Sequence, residues 1–195
     1  MTAHSPLRHL AAELARTGGA VRLRELPFLA QVELRVDDDA FIPRVEQFLG
    51  CGLPTAGQAG GTGGPHVLWL GPGWYLVTDE AGTGPGLEAG LIDALGADCG
   101  GACGHAVDVS AGRAVLELSG QRAADVLRHG CALDLHPRVF GPGRCASTDL
   151  ARTQVTLQQT GPETYRIFVR SSFADYLVRW LLDAMIEYLA VTGGH

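Results

Sequence analysis

The chain has 195 residues, of which 46% are apolar and 18% charged, and its formal net charge is -6. This apolar content is sufficient for a buried core, so a wholly disordered chain is excluded. All 15 basic residues are Arg and they are scattered, whereas a nucleic-acid-binding surface needs clustered cations. We therefore expect a globular chain that does not bind nucleic acid.

Three features of the sequence bear on cellular location. No stretch approaches the roughly 18 uninterrupted apolar residues of a membrane-spanning helix. The segment Met1–Leu10 lacks the apolar core of a secretory signal. The five Cys, an odd number, favour reduced thiols. We expect a cytoplasmic protein with no membrane partner.

The first half of the chain is predicted to form a strand, a helix, a hairpin and a second helix. Strict alternation places Val32, Leu34 and Val36 on one strand face. Asp37–Asp39 offer N-cap oxygens to the first helix, and Gly50 ends it. The predicted elements are the strand 30–36, a helix that follows Asp37–Asp39 and runs to about Leu49, a flexible Gly-rich loop 55–65, the hairpin strands 66–70 and 74–78, and the helix 87–95.

The second half repeats this order. Its predicted elements are the strand 114–119 (closely preceded by 106–110), the helix 121–128, the hairpin strands 152–158 and 165–170, and the helix 173–189. The last helix is expected to bury a stripe at helical spacing. That stripe consists of Phe173, Leu177, Trp180, Leu181, Ala184 and Tyr188.

The two halves also match residue by residue, which indicates an internal duplication. The matched segments, in the same order in both halves, are Val32-Glu33-Leu34 with Leu116-Glu117-Leu118, Gly50-Cys51 with Gly130-Cys131, Gly71-Pro72 with Gly161-Pro162, Tyr75 with Tyr165, and Leu91 with Leu181. We predict an α+β fold in one domain, 1–195. It consists of two duplicated βαββα-type halves, at about 21–99 and 105–192, that share a core.

The densest group of possible metal ligands is Cys99, Cys103 and His105. Thiolates and imidazole suit zinc, but structural zinc needs four ligands, typically with paired C-x2-C spacing. We expect thiols in a loop here and no metal site.

A second constellation joins His129 and Cys131 with Asp134 and His136. A Cys–His pair can form an activated nucleophile. Cys131, however, follows the end of a predicted helix, where the dipole disfavours a thiolate. His129 is better explained as a cation at the helix C-terminus. We predict no catalytic residue in this chain.

The Gly-rich run 60–64 lacks the Lys and the following helix of a phosphate-binding loop, so we interpret it as a linker. A dinucleotide-binding fingerprint is also missing, and no cofactor-binding residue is predicted. Trp180 belongs to a core stripe, whereas Trp69 and Trp74 flank the turn of a hairpin. An exposed Trp is more often an interface anchor than a substrate platform.

The connection 133–148 is long for a link between a helix and a strand, and long ordered loops are usually functional. It combines apolar residues with hydrogen-bond donors, as interface hot spots do. Its candidate interface residues are Leu135, His136, Arg138, Phe140 and Arg144. Alternatively, Leu135 and Phe140 simply pack under the sheet.

Several segments, in order, carry a resemblance to a known family. They are Ser5-Pro6-Leu7, Leu70-Gly71-Pro72, Asp108-Val109-Ser110, Gly130-Cys131-Ala132-Leu133-Asp134-Leu135-His136-Pro137 with Phe140, Gly143-Arg144 and Thr148, and Val169–Leu177 with Trp180-Leu181. Over nearly its whole length the chain resembles the gamma subunit of heterotetrameric sarcosine oxidase. One departure is Gly73, where the family tends to carry an acidic residue.

The resemblance implies a fold similar to the folate-binding N-terminal part of glycine-cleavage T-protein. It also implies a non-catalytic assembly subunit that works with alpha, beta and delta subunits. The complex would demethylate sarcosine oxidatively to glycine, release hydrogen peroxide and pass a one-carbon unit to tetrahydrofolate. FAD, FMN, NAD and tetrahydrofolate would be bound by the other subunits.

Two other functions remain open at the level of sequence. One is a free-standing folate-binding, aminomethyltransferase-like protein of one-carbon metabolism, for which Asp108 and Asp134 are the candidate acidic residues. The other is a scaffold protein without flavoenzyme partners.

Overall fold

The structure, a computed structural model, describes residues 4–61, 64–96 and 103–189. The chain divides into two compact units: unit 1 comprises 1–27 and 111–195, and unit 2 comprises 28–110. The elements in chain order are α1 (Ala11–Leu14), β1 (Arg22–Glu25), β2 (Ala30–Val36), α2 (Ile42–Leu49), β3 (Ala59–Gly60), β4 (His66–Gly71), β5 (Trp74–Asp79), α3 (Gly84–Ala94), β6 (Gly104–Asp108), β7 (Arg113–Ser119), α4 (Ala123–Arg128), β8 (Cys145–Leu150), β9 (Thr153–Gly161), β10 (Thr164–Arg170) and α5 (Ser171–Leu189).

Each unit contains one five-stranded antiparallel sheet. The strand order is β3-β4-β5-β2-β6 in unit 2 and β1-β7-β10-β9-β8 in unit 1. The edge strand β1 precedes β2 in the chain but pairs with β7 of unit 1. Likewise, the edge strand β6 precedes β7 in the chain but pairs with β2 of unit 2. This mixture of helices with antiparallel sheets is the predicted α+β class.

The core of unit 2 forms where helices cover one face of its sheet. Val32 and Leu34 alternate with polar residues along β2, and both are fully buried. Val45 of α2 and Leu91 of α3 pack into the same cluster. α2 ends at Gly50, whose positive φ of 68° is the left-handed conformation expected of a helix-ending glycine.

The core of unit 1 is larger and is organised by α5. Leu116, Leu118 and Ile167 supply the sheet side of this core. The buried face of α5 consists of Ala174, Leu177, Val178, Leu181 and Met185. None of the helices in the described residues combines the length and the apolar character that a membrane span requires.

The two central strand pairs have the same register. In unit 2, Leu34 lies opposite Tyr75, and in unit 1 Leu118 lies opposite Tyr165. These are the residues that the sequence comparison matched. The shared register supports the duplication, which remains a prediction.

The structure departs from the predicted elements in several places. β1 and β8 were not predicted, and the Gly-rich loop contains β3, which pairs with β4. Phe173, expected in the buried stripe of α5, is 46% exposed. The buried face of α5 includes Ala174, Val178 and Met185, each of which directly follows a residue of the predicted stripe. The buried face is therefore rotated around the helix axis relative to the prediction, and Phe173 points outward.

Candidate partner-binding surfaces

The connection between α4 and β8 is ordered by its own backbone. The N–H groups of Val139 and Phe140 donate to the carbonyl of His136 at 2.8 and 2.9 Å. The N–H of Gly143 donates to the carbonyl of Gln159 at 2.9 Å. The connection is therefore held by backbone hydrogen bonds within itself and to β9.

Two of the predicted interface residues lie in the core of unit 1. Leu135 is 2% exposed and Phe140 is 4% exposed, and both belong to its apolar cluster. Their side chains pack under the sheet, which is the second reading that the sequence allowed. Leu135 and Phe140 can hold the exposed residues of the connection in place, but they are not part of its exposed surface.

The exposed residues of the connection include His136, Arg138 and Val139. Asp134 Oδ1 accepts a hydrogen bond from the N–H of His136, and the N–H of Arg138 contacts His136 Nδ1 at 3.2 Å. Val139 is 51% exposed. An apolar side chain beside a guanidinium is thus presented on an ordered loop, and its role as an interface remains a prediction.

Arg144, at the end of the connection, is half-buried. Its Nε is buried and has no hydrogen-bond acceptor among the described residues. A buried donor without a partner costs stability. Arg144 is therefore less accessible to a partner than the exposed Arg138, although both were predicted to be interface residues.

The second predicted constellation does not come together as a Cys–His pair. His129 Nε2 lies 3.0 Å from Glu187 Oε1 and 3.1 Å from Tyr188 Oη of α5. Cys131 Sγ instead lies 3.9 Å from Thr148 Oγ1. His129 sits at the C-cap of α4, the position that the sequence assigned to a dipole partner.

A surface cavity of about 440 Å³ lies beside this histidine. The two arginines of its lining share one carboxylate, because Asp125 accepts hydrogen bonds from Arg122 at 3.0 Å and from Arg128 at 2.7 Å. These hydrogen bonds, led by that from Arg122, lower the pKa of Asp125. Arg122 also lies over the ring of Tyr188. No sequence pattern indicated this cluster, since α4 and α5 are distant along the chain.

The possible metal ligands are only partly described. Cys103 is buried, and His105 is exposed on β6. Cys99 lies outside the described residues. Within 4–61, 64–96 and 103–189, no three His, Cys, Asp or Glu side chains form a group that could hold a metal ion.

The two candidate acidic residues for folate have local hydrogen-bond partners. Asp108 Oδ1 accepts from the N–H and the hydroxyl of Ser110 at 2.9 and 2.5 Å. Asp134 accepts from the N–H of His136 at 2.9 Å. Both carboxylates stabilise turns of their own segments.

The two hairpin tryptophans of unit 2 are half-buried. Trp69 packs against the apolar cluster of the unit. Trp74 donates its Nε1 hydrogen to Glu33 Oε1 at 2.8 Å, and Arg35 lies over its ring at 5.8 Å. Trp74 is thereby fixed in the sheet surface, and an interface role for either residue remains a prediction.

Comparisons with known proteins agree on one family. Residues 35–187 match the model of the family described as sarcosine oxidase, gamma subunit family. The gamma subunit of sarcosine oxidase from an Arthrobacter species is 44% identical over 193 residues, which is 96% of this chain and 92% of that protein.

Solved structures give the same result. A chain of the heterotetrameric sarcosine oxidase from Corynebacterium sp. U-96 is 42% identical, with a TM-score of 0.87, and the match covers 96% of this chain and 97% of that one. The aminomethyltransferase T of the glycine cleavage system from Bartonella henselae is 17% identical, with a TM-score of 0.60 over 89% of this chain and 48% of that one. The second match confirms the predicted likeness to T-protein at the level of the fold.

Proposed function

Because the chain belongs to the sarcosine oxidase gamma subunit family, we propose that it assembles with alpha, beta and delta subunits into a heterotetrameric sarcosine oxidase. The observation that carries this proposal is the nearly full-length match to a chain of such an enzyme. With molecular oxygen as the electron acceptor, the complex would oxidise the N-methyl group of sarcosine, giving glycine, hydrogen peroxide and a one-carbon unit for tetrahydrofolate.

Within this complex the chain is an assembly subunit without catalytic residues. The contacts of His129 and Cys131, the two residues considered as a Cys–His nucleophile pair, support this role. His129 contacts Glu187 and Tyr188, whereas Cys131 contacts Thr148. An activated thiolate needs a base within hydrogen-bond reach. Flavin and folate chemistry would belong to the other subunits.

Co-expression of the four subunits, with and without this chain, tests the proposal. The tagged alpha subunit should retain the chain, and sarcosine-dependent peroxide release should require the assembled complex. The isolated chain should release no peroxide from sarcosine. Turnover by the isolated chain, or micromolar binding of tetrahydrofolate to it in calorimetry, would contradict an assembly role and favour a folate-binding enzyme.

A further inference from the structure

α3 of unit 2 is apolar around most of its circumference. Its 11 residues include only two charged ones, Glu88 and Asp93. Leu87 and Leu91 face the core of the unit, whereas Ile92, on another side, is 40% exposed. Helices that are apolar on all sides are normally covered on all sides. The outer face of α3 is therefore built to be covered.

α2 extends this apolar surface. Phe48 is 43% exposed, and its ring lies directly over Gly90 of α3. A Cβ on Gly90 would approach the ring to 2.2 Å, so the missing side chain at this position makes room for the ring. We define the α2–α3 face as Phe48, Ala89, Ile92 and Asp93.

The unit that carries this face is strongly acidic. Residues 28–110 include eleven Asp or Glu and two Arg, a formal charge of -9, whereas the rest of the chain has ten Asp or Glu and thirteen Arg. Both Arg of unit 2 have local contacts. Arg35 lies 3.6 Å from Asp37 and over Trp74, and Arg44 donates to the carbonyl of Asp93. The negative charge of unit 2 is therefore largely uncompensated within the unit.

We infer that the α2–α3 face docks onto another subunit of the oxidase, on a surface with an apolar centre flanked by Arg or Lys. This inference rests on the proposed function and identifies the face of the chain that contacts another subunit. Complementary charge around a desolvated apolar centre is the arrangement that interfaces use for specificity. A second copy of this chain would bring acidic unit against acidic unit, so the charge favours a different, basic partner.

The test uses the four co-expressed subunits, with the alpha subunit tagged and the amount of retained chain measured. Ile92→Glu places a carboxylate in the centre of the face and should lower retention about tenfold, as loss of a hot spot does. Asp93→Arg reverses the rim charge on the same face and should also lower retention, less so at high salt, since salt screens exposed charges. Both residues are exposed, and the melting temperature of each isolated variant reports on folding.

Ile186→Glu is the matched control, because it makes the same change at a residue of α5 that is 60% exposed. It should be retained like the native chain. Full retention of both α2–α3 variants would overturn the inference while leaving the proposed function intact. An equal loss with Ile186→Glu would also overturn it, because added charge alone would then explain the effect. If the native chain itself is not retained, the proposed function fails together with the inference.

Discussion

The hydroxyl of Tyr176 donates a hydrogen bond to the backbone carbonyl of Ala151 across 2.6 Å. Ala151 and Arg152 form the turn between β8 and β9, and both have positive φ, 50° and 66°. Such two-residue hairpin turns favour Asn and Gly, because other side chains are strained in the left-handed region. Tyr176 thus anchors α5 to a turn whose own residues do not favour its conformation.

This anchoring can be tested by two changes with opposite expected effects. Tyr176→Phe removes the hydrogen bond and should lower the free energy of unfolding by about 1 kcal/mol. Arg152→Gly relieves the backbone strain and should raise that free energy by about 1 kcal/mol. Urea denaturation of the isolated chain measures both. A destabilised Arg152→Gly variant would show that the arginine side chain contributes more than the strain costs.

Gly104 at the start of β6 is predicted to be irreplaceable. Its φ is 137°, and a Cβ would lie 2.1 Å from the carbonyl oxygen of Arg35 on the neighbouring strand. Gly104→Ala should therefore lower the free energy of unfolding by about 2 kcal/mol or more, because the backbone of β2 must shift. Gly112→Ala is the control, since no heavy atom beyond Gly112 and its two chain neighbours lies within 4 Å of its Cβ position. The control should stay within about 0.5 kcal/mol of the native chain.

Asp125 gives a prediction about pH. Hydrogen bonds from Arg122 and then Arg128 lower its pKa below the usual 3.8. A carboxylate with a lowered pKa in the folded state stabilises the fold above its unfolded pKa, and this contribution is lost as the pH falls through the folded value. Asp125→Asn should therefore be less stable than the native chain at neutral pH and equally stable in strong acid. A constant difference across that range, in melting curves of both proteins, would mean that ionisation of Asp125 is not the cause.

The central strands were predictable, whereas the edge strands β1, β3 and β8 were not, for a physical reason. β2 shows clear alternation because one of its faces is buried in a core. β8, Cys-Ala-Ser-Thr-Asp-Leu, buries only its two end residues, and β1 is a four-residue edge strand. Edge strands are short and polar because a long apolar edge would pair with other chains. Their sequences therefore resemble those of loops.

The candidate surfaces were predictable only in part. The sequence placed apolar residues in the connection 133–148, but Leu135 and Phe140 could not be separated from the exposed Val139, because the loop has no regular period. The helical pattern of α3 was recognised, but which apolar residues face outward depends on where α2 and the sheet lie. Phe48 over Gly90 is such a relationship, and it joins two helices that are about 40 residues apart.

The last prediction concerns the exposed part of the connection between α4 and β8, which we expect to contact another subunit. Arg138→Ala should leave the melting temperature almost unchanged, because the side chain is exposed, and should weaken retention by the tagged alpha subunit. Arg144→Ala should act differently. Arg144 is half-buried, with a buried Nε, so its removal should change the melting temperature, because the packing around its stem changes.

Arg170→Ala is the matched control for Arg138→Ala, since Arg170 is an exposed arginine at the end of β10 in the same unit. The control should be retained like the native chain. If Arg138→Ala and Val139→Glu are both retained in full, the connection serves only to pack Leu135 and Phe140 into the core. If retention is lost only in the Arg138 and Val139 variants, these two exposed residues contact the partner. The buried residues Leu135 and Phe140 would then hold them in position.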